Sequence, residues 1–200
     1  MQSLSQVARL YAVSIRLSRP TADDLRPLVD AGRFDSLTYT PVGVSRALEA
    51  PAGYRLDRWS RVIGTSDAVF DKAIHAIRTW QIHRRSGLVV CADGAPSIDA
   101  VVAMCAPLPL GFIEVVCRVV EIVDLPDRFG FAYGTLSVHP QQGEESFTVF
   151  RRADGTTVFE IVAVSRPRYF LARALPPFAR MLQRRATARY LDAMTSAVAQ

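Results

Sequence analysis

The sequence predicts an α+β fold in which a curved antiparallel sheet wraps around a long C-terminal helix, with a shorter helix near residues 66–84. Three observations carry this expectation. A helix-periodic segment opens at Ser66, a succession of β-rich runs separated by turn residues fills Leu88 to Ser165, and the last forty residues return to helical spacing. Short connections between the runs imply an antiparallel meander, which needs a helix against one face to bury its apolar side. Periodicity alone fits a closed β-barrel with a flanking helix nearly as well.

In the first helix Phe70, Ala73, Ile74, Ile77 and Trp80 or Gln81 recur at three- and four-residue intervals, with Asp71, Lys72, His75 and Arg78 opposite. Ser66 can cap it, Asp67 suits its positive end, and Ser86-Gly87 supplies the stop. The β-rich runs are Leu88 to Ala92, Ile98 to Ala106, Phe112 to Asp124, Phe129 to Leu136, Glu144 to Arg152 and Thr156 to Ser165. Ala153-Asp154-Gly155 is the clearest hairpin turn, and Leu125-Pro126-Asp127 reads as another tight connection. Tyr54 to Val62 is expected to complete the sheet, and Tyr39 to Gly43 reads as a short extended piece. After the Pro176-Pro177 break, Phe178, Leu182, Ala186, position 189 and Ala193 form one helical seam. Residues 1–35 read as a partly helical N-terminal extension with a short helix beginning near Thr21, and residues 36–200 as a single domain.

Half the residues are apolar, enough for a substantial core, and no apolar run approaches the ~20 residues a membrane helix needs. With no clear cleavage site near the N-terminus, a cytoplasmic location is expected. Cys91, Cys105 and Cys117 sit in apolar strand-like runs without CxxC spacing and read as reduced core residues. The formal charge of +5 is almost wholly arginine, Lys72 being the only lysine, and the arginine stripe of the last helix lacks the interleaved aromatics of a single-strand binder. No nucleic-acid partner is expected. His75 and His83 project about 80° apart on a helix with no HExxH or CxxC beside them, so no metal is expected. The absence of a GxGxxG or phosphate-loop motif indicates no nucleotide cofactor, and no other cofactor is indicated.

Chemistry-bearing residues concentrate between Gly130 and Phe147. Side-chain alternation gives Phe131, Tyr133 and Thr135 one face and Gly130, Ala132, Gly134 and Leu136 the other. Glu144 and Glu145 must point to opposite faces and cannot share a proton; Glu145, alternating with Phe147 and Val149, is the expected buried one. A buried carboxylate requires a partner, and His139, Tyr133, Arg166 and Arg189 are available. A structural network is the ordinary outcome. The catalytic version makes His139 a general acid or base oriented by Glu145. Arg189 falls on the apolar seam, either snorkelling or bridging Glu121 or Glu145, or else anchoring the carboxylate or phosphate of a ligand.

Tyr133-Gly134-Thr135-Leu136, His139, Gly143-Glu144-Glu145 and Phe147 are followed by Phe159-Glu160-Ile161, Ser165-Arg166-Pro167, Leu182-Gln183 and Tyr190-Leu191. Together these resemble the bacterial and plant family known as domain of unknown function 1990, which is UPF0548-like. One departure is Ser137-Val138, where that pattern has Pro and Gly before the histidine. The layout is similar to the START or birch-pollen-allergen-like helix-grip superfamily, whose sheet and last helix enclose hydrophobic molecules. The resemblance implies a non-catalytic carrier or sensor of a small lipophilic or amphipathic molecule, present as a monomer or homodimer. Tyr133, Phe147, Phe159, Ile161, Phe178 and Leu182 would line a solvent-connected cavity of at least about 300 Å³. Core packing is the plainer role for each of them. Two other expectations stand beside it: a cavity enzyme of hydrolase, cyclase or isomerase type using His139 and Glu145, and an interaction module docking through its arginine-bearing helix.

Overall fold

The computed structural model describes residues 14–168 and 176–199, without the side chains of 176–179 and 182. Eight antiparallel strands form one sheet: β1 (Ile15–Arg16), β2 (Arg55–Gly64), β3 (Val89–Ala92), β4 (Val101–Leu108), β5 (Gly111–Leu125), β6 (Arg128–Thr135), β7 (Gln141–Arg151) and β8 (Thr157–Pro167). The spatial order is β2-β8-β7-β6-β5-β4-β3, so the last six strands make a meander, β2 joins its edge beside β8, and β1 pairs with β5. Tight turns fix the register. At the β7–β8 hairpin, Asp154 Oδ1 accepts from the Thr156 backbone N–H at 2.9 Å, and Gly155 takes the left-handed conformation with φ +81°.

The sheet coils. Register shifts at Val119/Glu121 and at Val62/Gly64 each add a residue to one strand and sharpen the local bend. At Gly130 a Cβ would stand 2.4 Å from the Phe147 carbonyl oxygen, so coiling there tolerates no side chain.

Three helices lie on the concave face: α3 (Asp67–Arg78), α4 (Gln81–Arg85) and α5 (Pro176–Val198) follow α1 (Arg26–Gly32) and α2 (Val44–Ala47) in the chain. The Ser66 hydroxyl caps α3 by accepting from the Val69 N–H. The single helix expected over 66–84 is two, because Trp80 turns left-handed with φ +58°. That turn buries the Trp80 indole, whose Nε1 donates to the Gly94 carbonyl at 2.8 Å, and carries His83 into the same cluster. Phe70, Ile77 and Trp80 meet Phe131, Phe147, Phe159 and Ile161 of the sheet and Tyr190, Leu191 and Met194 of α5 in one apolar core. Each fully buried large side chain there contributes roughly 1.5–3 kcal/mol.

The convex face is covered as well. Leu25 and Val29, on a 3₁₀ turn (Asp23–Leu25) and α1, pack on Val101, Cys105, Val116, Leu136 and Val138. Tyr39 and Val44 pack on Val162 and Val164. Residues 14–35, expected as an extension, are thus built into this outer layer through β1 and α1. Tyr39 to Gly43 is not extended: it turns through a cis Thr40–Pro41 bond and ends at Gly43, φ +90°, which starts α2. No helix among the described residues is long and apolar enough to cross a membrane.

Candidate functional site

The concave face presents its side chains in rows that cross the strands. Register places Trp59, Ile161, Phe147 and Phe131 in one row and Asp57, Ala163, Glu145 and Tyr133 in the next. The first row is apolar, with Phe131, Phe147 and Ile161 at most 1% exposed. The second introduces two carboxylates into the otherwise apolar surface. Asp57 is paired with Arg55, one turn of the pleat away, its Oδ1 accepting from Arg55 Nε at 2.8 Å.

Glu145 has a different environment. Its Oε2 accepts from the Tyr133 hydroxyl at 3.0 Å, and the residue is only partly exposed. Removal from water pushes its pKa up to about 7, although the Tyr133 hydrogen bond pulls the other way. Burial and the nearby Glu145 carboxylate push the phenols of Tyr133 and Tyr190 upward, so both stay protonated donors. A carboxyl group that changes charge near neutrality, beside two hydroxyls and an aromatic floor, can hold a polar group as acceptor or as donor.

His83 lies behind this pair. Its ring centroid is 4.8 Å from Phe147, 5.2 Å from Tyr190 and 6.0 Å from Tyr133. It is fully buried, and neither ring nitrogen has a hydrogen-bond partner among the described residues. Burial, then the Arg84 charge, pushes its pKa down to about 3, so the imidazole is neutral.

Of the residues expected at the site, Tyr133, Phe147, Phe159 and Ile161 share the concave core. Phe178 and Leu182 belong to α5, but their side chains lie outside the described residues. Arg189 does not join them: it is exposed, and the buried face of α5 runs through Thr187, Tyr190, Leu191, Ala193, Met194, Ala197 and Val198. The expected seam is therefore rotated by about one residue, and the partners proposed for Arg189 are engaged elsewhere, Glu121 with Arg46 at 3.2 Å and Glu145 with Tyr133. His139 sits in the β6–β7 connection, where its Nδ1 accepts from the Gln141 N–H at 3.0 Å. Burial lowers its pKa to about 4. No hydrogen bond joins His139 to Glu145 among the described residues.

The two glutamates also exchange their expected burial. Glu144 is the enclosed one, 2% exposed, beneath α2 on the convex side. Its oxygens accept from the Tyr39 hydroxyl at 2.7 Å, the Gly43 N–H at 2.9 Å, the Ser45 N–H at 3.0 Å and the Ser45 hydroxyl. Alternation placed the pair on opposite faces correctly; what it lacked was the outer layer, which makes both faces interior.

Recesses open on the surface among the described residues. One of about 410 Å³ is bordered by Asp71, His75, Gln81, Arg85 and Ala197. Another, about 510 Å³, is bordered by Thr38, Tyr39, Thr40, Tyr54 and Arg166. Neither lies between the sheet and α5, where an opening of comparable size was expected; there the described side chains are packed. No three His, Cys, Asp or Glu residues among those described are grouped to hold a metal ion.

The chain is similar to several known proteins. A UPF0548 protein of Deinococcus radiodurans is 28% identical over 186 residues, spanning 87% of this chain and 93% of that one. A UPF0548 protein of Dictyostelium discoideum is 22% identical over 202 residues, spanning 90% and 94%. Among solved structures, TTHA0849 from Thermus thermophilus superposes with a TM-score of 0.53 at 11% identity, over 72% of this chain and 97% of that one. Ara h 8.0201 does so at 0.51 and 11%, over 73% and 98%. These likenesses establish the fold, a sheet curled against a C-terminal helix in the helix-grip manner. Because the model of the family described as a domain of unknown function, DUF1990, matches residues 38–193, the chain belongs to that family.

Proposed function

We propose that the protein binds a small amphipathic molecule between the sheet and the N-terminal half of α5, as a non-catalytic carrier or sensor. The observation that carries this reading is the Tyr133–Glu145 pair, a partly exposed, desolvated carboxyl group bordering an aromatic wall. A ligand's hydroxyl, carbonyl or amine meets Glu145 and Tyr133, and its apolar body lies along Phe147, Phe159 and Ile161. Apolar burial supplies affinity and the polar pair supplies orientation. The deep end of the interior is filled by Phe131, His83 and Tyr190, so the ligand occupies the Glu145 end. The helix-grip likeness supports a fold suited to such a cavity. His139, held by Gln141, takes no part.

Titration with Nile red, a neutral apolar dye bearing a carbonyl and an amine, tests the site. Saturable blue-shifted emission is expected from the wild type and from Arg189→Gln on the solvent face. Ala163→Trp, which fills the row beside Glu145, should weaken it at least tenfold. Equal binding by Ala163→Trp would sink the proposal.

A further inference from the structure

We propose that the 510 Å³ recess on the outer side of the sheet is a second site, which takes the carboxylate or phosphate group of a small molecule through Arg166. It is separate from the inner site and stands on different observations. Arg166, near the end of β8, is fixed on two sides. Its Nε donates to Gln142 Oε1 at 3.0 Å, and its guanidinium carbon lies 4.6 Å from the centre of the Tyr54 ring. Gln142 is itself held, its Nε2 donating to the Thr38 carbonyl at 2.9 Å. The guanidinium is thus preorganised, yet its two terminal nitrogens meet no carboxylate among the described residues.

On the neighbouring strand Arg55, Arg58 and Arg61 pair with Asp57, Glu160 and Asp192. Glu160, the acid nearest in sequence, is paired with Arg58, and Glu144, two residues from Gln142, already accepts from Tyr39, Gly43 and Ser45. The Arg166 fork therefore borders the recess with its charge uncompensated, beside the exposed Thr40. A fixed, planar pair of N–H donors matches the two oxygens of a carboxylate or phosphate. The recess has the volume of a small-molecule site, and Tyr54, Pro51 and Ala52 give it apolar walls.

The test is a backbone amide NMR titration of the full chain at low salt, with inorganic phosphate in one arm and benzoate in the other. Saturable shifts confined to residues 38–40, 52–54, 142 and 166 are expected in at least one arm. Saturation by phosphate alone assigns a phosphate ligand, and by benzoate alone a carboxylate. Arg166→Gln should weaken binding at least tenfold and Arg166→Lys several-fold. Ala52→Glu, an exposed change that removes no native contact, should compete for Arg166 and abolish saturation even where Arg166 variants fold poorly. Glu145→Gln in the inner site should leave the titration unchanged. Linear, unsaturated shifts scattered over many arginines in both arms, or undiminished binding by Ala52→Glu, would overturn the proposal.

Discussion

Glu144 and Glu145 are adjacent in the chain and answer to opposite sides of the sheet: Glu144 is closed in by donors from Tyr39, Gly43 and Ser45, while Glu145 accepts from the Tyr133 hydroxyl. One carboxylate fastens the outer layer to β7. The other has spare acceptor capacity among the described residues at the end of an aromatic interior, and different consequences follow for each.

Replacing Glu144 by Gln turns one acceptor oxygen into a donor that confronts either the Tyr39 hydroxyl and Gly43 N–H or the two donors of Ser45. A loss of about 2–4 kcal/mol is expected, measured by denaturant unfolding, with faster amide exchange across residues 37–48. Ser45→Ala, which removes the hydroxyl alone, should cost about 1 kcal/mol.

Glu145 governs a pH window. Its pKa rises from an ordinary 4.5 to about 7 through burial, so the folded chain holds more protons than the unfolded one between those values. Stability therefore falls as pH rises through that window and is level above it. With its partial exposure, the effect is on the order of 2 kcal/mol. Glu145→Gln should lack this slope and exceed the wild type in stability at pH 8; parallel pH profiles for the two proteins would contradict the assignment.

His83 acts with the opposite sign. Its pKa is lowered to about 3, so the unfolded chain binds the extra proton below about 6.5 and stability is lost as pH falls. The half-buried His139, lowered to about 4, adds to the same trend. Because both His83 nitrogens lack partners among the described residues, His83→Leu should stay within about 1 kcal/mol of the wild type at pH 7, relief of the unsatisfied groups offsetting changed packing. At pH 4.5 it should be the more stable of the two, as thermal unfolding will show.

The face of α5 is tested by neighbours. Tyr190→Ala should cost about 3–5 kcal/mol by emptying the space against His83 and Phe147, whereas Arg189→Ala should change stability by less than about 0.5 kcal/mol.

Gly134 reports on the outer layer. A Cβ there would stand 2.5 Å from the Tyr39 hydroxyl and 2.8 Å from Leu37 Cδ2. Gly134→Ala should displace residues 37–39 and cost about 1–3 kcal/mol, visible as lost exchange protection in that segment.

Much of the sheet was legible because strand alternation and turn chemistry are local. Leu88 to Ser165 reads as six runs, and the structure places β3 to β8 within a few residues of them. The placement of Tyr133 and Phe147 in the concave core was legible for the same reason. The errors arise where a distant segment decides the outcome. The left-handed turn at Trp80 breaks a helix whose periodicity looked continuous, because burying the indole and His83 outweighs one more turn of helix. Arg189 was misplaced since Ala186 and Ala193 fit two neighbouring stripes; Tyr190, Leu191, Met194 and Val198 form the one that buries more apolar surface. The enclosure of Glu144 depends on residues 39–45 folding over it from about a hundred positions away, a contact with no local signature.

Occupancy of the Glu145 end of the interior by an amphipathic molecule, proposed above, can be read from mass. Native mass spectrometry of freshly purified protein, set against a denatured sample and followed by organic extraction, tests it most directly. A discrete adduct is expected on the wild type, released by denaturation and absent from Ala163→Trp. A wild-type mass equal to that of the chain alone, with no uptake from an extract of the cells that made it, would contradict it.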